Sequence, residues 1–153
     1  MNAATETVAY ERTLAIDASP ETVWEFLVDP EKAKRWMGID MELDPQSGGI
    51  YRCEVIPGHT ARGEFVTVDK PRRLVFTWGW DGAGTVTPGA STIEIDLTPE
   101  DGGTALRFVH TLPDAESAAS HKQGWDHYLP RLEMAAAGGD PGADPWVTDA
   151  PSM

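Results

Sequence analysis

Three side chains that could handle a proton stand in apolar company in this chain. His110 follows Leu106 and Phe108 at alternate positions in TALRFVHTL, and Tyr51 shares its parity with Cys53 and Val55 in GIYRCEVI. His121 stands one helical turn before Trp125 in HKQGWDHYLPRLE. An imidazole or phenol on an apolar face can orient a bound apolar molecule, or act as general acid or base in a pocket that excludes water. It can equally be an interior group satisfied by a backbone carbonyl. The residue types leave both readings open.

Other catalytic constellations are thin. There is no G-x-S-x-G, H-E-x-x-H, Walker loop or C-x-x-C. One cysteine, Cys53, excludes an intramolecular disulfide, and with four histidines no closed zinc site is expected. His121 and His127 are six apart, which is not the spacing that brings two imidazoles to one metal on a helix. GWDGAG at 79–84 reads as a hairpin connection, because no helix follows it to bind phosphate. Glu100 with Asp101, and Asp114 with Glu116, fall in a turn and at a helix start, where solubility and the helix dipole account for them. No catalytic residue, metal or cofactor is assigned, and the chain reads as a binding protein.

Charge and hydropathy narrow the partners. With 25 acidic against 12 basic residues and a net charge of −13, the surface repels a phosphate backbone, so no nucleic-acid partner is expected. The basic groups at Lys32, Lys34, Arg35 and at Lys70, Arg72, Arg73 read as solvated element ends. The first residues show no basic segment followed by an apolar run, and no 18 consecutive apolar residues occur anywhere. A cytoplasmic protein with no membrane span is the expectation.

The candidate residues need elements to hold them. Val8, Tyr10, Leu14 and Ile16 alternate in a strand between Thr7 and Asp17. Ser19 as cap and Pro20 at the first position predict a helix to Val28, and Asp29-Pro30 starts a second short one ended by Gly38. From Asp40 to Leu112 the period is two, broken by Gly-, Pro- and Asp-rich turns, which predicts six strands in an antiparallel meander. One face carries Leu74, Phe76, Trp78 and Trp80, then Ile93, Ile95 and Leu97, then Leu106, Phe108, His110 and Leu112; Glu94, Asp96 and Arg107 point the other way. A long helix from about Glu116 to Ala137 presents His121, Trp125, Tyr128, Leu129, Leu132 and Ala136 to that face, with Pro130 inside it. Residues 1–137 read as one domain, and 138–153 as a mobile acidic tail containing Trp146.

In this order, DPEKAKRWMG, GEFVTVDKPRRLVFTW, STIEIDLTPEDGGTALRFVH and GWDHYLPRL resemble the START-like (SRPBCC) superfamily, in its branch similar to the activator of heat-shock-protein-90 ATPase, over about residues 7 to 136. The resemblance implies an α+β helix-grip fold: a curved seven-stranded antiparallel sheet, two short helices, and a long C-terminal helix enclosing a cavity. It does not choose a function, because one fold hosts many. A dry void of about 300 Å³ would cost roughly 7 kcal/mol, comparable with a whole domain's stability of about 5–15 kcal/mol. Such a space is therefore filled by side chains, wetted, or kept for a ligand.

Tyr51, Cys53, Phe76, Trp78, Phe108, His110, His121, Trp125, Tyr128 and Leu129 are the expected cavity lining. A small hydrophobic molecule, such as a lipid or a polyketide-like or aromatic compound, is the expected partner. The alternatives are a chaperone-regulating interaction module and a cyclase or dehydratase using His110 or Tyr51. Free edge strands also permit a homodimer.

Overall fold

A computed structural model describes residues 7–82 and 86–150. Strand β1 (Val8–Ile16) leads into α1 (Pro20–Val28) and α2 (Pro30–Ala33), each with a proline in its first turn. The Ser19 side chain accepts from the Thr22 N–H and the Asp29 side chain from the Glu31 N–H, so both helices start on side-chain caps. Six strands follow: β2 (Asp40–Leu43), β3 (Ile50–Ile56), β4 (His59–Asp69), β5 (Arg73–Trp80), β6 (Ser91–Glu100) and β7 (Gly103–Leu112). The predicted elements are all present, with ends moved by a few residues; β4 starts three residues earlier than the pattern indicates.

The seven strands form one antiparallel sheet in the order β1-β7-β6-β5-β4-β3-β2. Strands β2 to β7 are the meander, and β1 closes on β7 with Tyr10 opposite His110 and Leu14 opposite Leu106. The pairing shifts register between Glu54 and Ile56 and between Phe65 and Thr67, and such bulges bend and twist the strand that carries them. Next to the second shift, a Cβ on Gly63 would stand 1.9 Å from the Thr77 carbonyl oxygen, so only glycine lets β4 approach β5 there.

Helix α3 (Ala115–Ala136) starts on Asp114, whose carboxylate accepts from the Ser117 N–H at 2.7 Å. Its buried side chains, among them Trp125, Tyr128, Leu129 and Leu132, face the apolar side of the sheet. Across the β1 edge, Tyr10 donates to Asp126 at 2.8 Å, and Lys122 and Arg12 pair with the same carboxylate. This is the helix-grip arrangement.

The stretch expected to be a mobile tail is instead laid back on α3 from Pro141 to Trp146. Arg131 donates to the Pro141 and Gly142 carbonyls, and Asp144 receives the Tyr128 hydroxyl at 2.7 Å and lies 2.8 Å from His127 Nε2. Trp146, in a short 3-10 turn (Pro145–Val147), stacks on His127 with centroids 3.9 Å apart. The segment has no period to read, because Tyr128, His127 and Arg131 of α3 hold it by polar and ring contacts rather than through a repeating apolar stripe.

Candidate ligand-binding site

The inner face of the sheet brings two histidines and three tryptophans together. Period two puts Trp78 and Trp80 on the same side of β5, the β5–β6 register sets Ser91 opposite Trp78, and β7 carries His110 inward beside Phe108. From above, α3 contributes His121 and Trp125, one turn apart. The His110 and His121 rings meet edge to face with centroids 5.0 Å apart.

The hydrogen bonds fix the state of both imidazoles. The Trp125 indole N–H donates to His110 Nδ1 at 3.0 Å, and an indole can only donate, so Nδ1 carries the lone pair and Nε2 the proton. That proton goes to Ser91 Oγ at 2.8 Å, and the Ser91 hydroxyl donates to the Trp78 carbonyl at 2.7 Å. His121 has the opposite tautomer. Its Nε2 accepts from the Trp80 indole at 3.0 Å, with the Trp78 indole at 3.4 Å, and its Nδ1–H donates to the Ser117 carbonyl at 2.8 Å.

Burial, and secondarily His121, lowers the His110 pKa to about 2, and burial also lowers that of His121. Both rings are neutral with every ring nitrogen engaged. A general base needs a free lone pair within reach of a proton. Neither histidine offers one.

Beside this network lies a cavity of ≈ 720 Å³, open on one side, between the first half of α3, the end of β5, the β3–β4 turn and Trp146. Four of the ten expected lining residues border it: Trp78, His121, Trp125 and Tyr128. The other six are interior packing and do not line it. Tyr51 stacks on Phe76 at 4.2 Å and meets Phe65 edge to face, Phe108 lies 4.7 Å from Trp125, and Cys53, His110 and Leu129 are wholly buried.

Burial raises the Tyr51 phenol well above its usual range and pushes the Cys53 thiol up to about 12, so both stay protonated. These rings and side chains fill the interior away from the cavity, and the open volume lies beside the first half of α3. Residues the sequence reading did not assign also border it, chiefly Trp80, His59, Ser120, Gly124 and Trp146. Trp80 was legible from its parity with Trp78. Trp146 was not.

The family model for Activator of Hsp90 ATPase homolog 1-like protein matches residues 17–137. The chain belongs to this family. AHSA1-like relatives share the architecture described above. An AHSA1-like protein from Rhizobium etli, solved by NMR in solution, is 45% identical over 92% of this chain and 89% of that one, with a TM-score of 0.74. CalU16 from Micromonospora echinospora is 25% identical over 88% of this chain and 87% of that one, at TM-score 0.68. The Aha1 dimer from Colwellia psychrerythraea, 19% identical over 86% and 98% with TM-score 0.74, shares the fold. None of the curated proteins matches. The AHSA1-like family is part of the START-like superfamily, as the sequence motifs indicated.

Among the described residues no cluster of three or more His, Cys, Asp or Glu is placed to hold a metal ion, and no helix is long and apolar enough to cross a membrane.

Proposed function

We propose that this AHSA1-like chain binds a small apolar molecule in the cavity beside Trp78, Trp80, Trp125 and Trp146, as a carrier or sensor and without catalysis. The observation that carries the reading is the volume of ≈ 720 Å³ walled by aromatic rings, next to histidines whose lone pairs are all taken. Ligand pockets of this kind are about 300–1,000 Å³, largely apolar, with a few polar groups that set orientation. Here Ser117, Ser120 and His59 can supply those groups at the rim.

Native mass spectrometry of gently purified protein, compared with its mass after denaturation, tests this. A stoichiometric small mass lost on denaturation supports it. The second test is fluorescence of N-phenyl-1-naphthylamine, which brightens in an apolar site. A bare chain that also fails to brighten this neutral probe would overturn the proposal.

A further inference from the structure

We propose that the cavity selects its occupant by charge, accepting an apolar amine in its protonated form and rejecting an apolar carboxylate of the same length. This rests on the cavity being a ligand site. The acidic and histidine side chains that border it are Asp81, Glu116, His59 and His121, the Tyr128 phenol is kept protonated by burial and its bond to Asp144, and among the described residues no lysine or arginine lines it.

The two acids are not equivalent. Asp81 is held at 2.7 Å by Arg62, whose guanidinium does not border the cavity. Glu116, in the first turn of α3, enters none of the ion pairs of the described residues. His121 is kept neutral by burial and by the indole donors on its Nε2. Glu116 is therefore the charge at the mouth left to be answered.

The walls point the same way. The indole N–H groups of Trp78, Trp80 and Trp125 all end on His121 or His110, so these rings give the cavity carbon edges and π faces but no donors. A ring face is negative and attracts an ammonium, whereas a carboxylate against these three rings loses water and must turn to Ser117, Ser120 or His59 for a donor. The positive N-terminal end of α3 does not rescue an anion, because Asp114 already caps it through the Ser117 N–H. The net charge of −13 adds repulsion at longer range.

The test is displacement of N-phenyl-1-naphthylamine at pH 7 by decylammonium, decanol and decanoate, which share a chain and differ in charge. Decylammonium should displace the probe at up to roughly fivefold lower concentration than decanol, the upper end for one ion pair at an exposed carboxylate, and decanoate should need more than either. Glu116→Gln should bring decylammonium close to decanol and leave decanol unchanged, which also shows that the variant is folded. Decanoate competing as well as decylammonium, or an ammonium advantage that survives Glu116→Gln, overturns charge selection while leaving the cavity as a binding site. A probe that never binds removes both readings together.

Discussion

Gly124 offers a direct way to separate the stability of this fold from its use of the cavity. It lies inside α3 between His121 and Tyr128 and borders the open volume. A Cβ built there meets nothing within 4 Å. Inside a helix, glycine costs about 0.8–1 kcal/mol relative to alanine, so Gly124→Ala should stabilise the protein by that amount and raise Tm by about 2–4 °C for a chain of this size.

Gly124→Leu keeps most of that helix gain and puts four carbons into the space. At about 30 Å³ each, close to a water's share of liquid volume, they take up about 120 Å³ of it. If a ligand such as decanol loses contact for two of its methylenes, at about 0.8 kcal/mol each, binding weakens by about 1.6 kcal/mol, more than tenfold. The assays are thermal melting and displacement of N-phenyl-1-naphthylamine. A fall in Tm for Gly124→Ala would show that the position is not open. Unchanged binding in a stable Gly124→Leu protein would show that the probe sits elsewhere, and the reasoning from the cavity would be wrong. A glycine that lowers helix stability where a ligand could lie fits a trade of stability for function.

Two further outcomes follow from the buried network and the folded-back segment. In the unfolded chain His110 titrates near its ordinary 6.5, but burial holds it to about 2 in the fold, so below pH 6.5 only the unfolded state gains its proton. Stability should therefore fall with acidification by about 1.4 kcal/mol per pH unit, about 2 kcal/mol between pH 6.5 and pH 5, with His121 acting in the same direction. Urea unfolding at the two pH values measures it. His110→Gln should reduce the slope by about one proton, and pH-independent stability would refute the assignment. Asp144→Asn removes the charged acceptor shared by Tyr128 and His127. It should speed protease cleavage within residues 138–150 while shifting the urea midpoint by less than about 1 kcal/mol equivalent. Cleavage as slow as in the parent would mean that Trp146 and Arg131 suffice to hold the segment.

The sequence by itself determined the elements and which side of each is buried, because strand and helix periods are local. Ile93 and Ile95 face the core and Glu94 and Asp96 do not, since alternate side chains point to opposite faces whatever the strand pairs with. Ser19-Pro20 and Asp29-Pro30 likewise carry their own caps. Parity also put Tyr51, Phe76, Phe108 and His110 inside, but it could not say whether an inward ring meets another ring or open space. That depends on where rows from separate strands and the helix converge: Tyr51 of β3 is stacked on Phe76 of β5, and Phe108 of β7 lies against Trp125 of α3.

The same holds for the chemistry of the histidines. Residue type made His110 a candidate acid or base and His121 a polar group able to orient a ligand. Indole donors from β5 and α3, 15 to 43 positions away along the chain, occupy the lone pairs of both. Trp146 shows the limit most plainly. GGDPGADPWVTD carries no apolar period, and the place of Trp146 at the cavity wall exists only because folding brings His127 and Tyr128 to one side of α3, where a ring and a carboxylate from this segment find their partners.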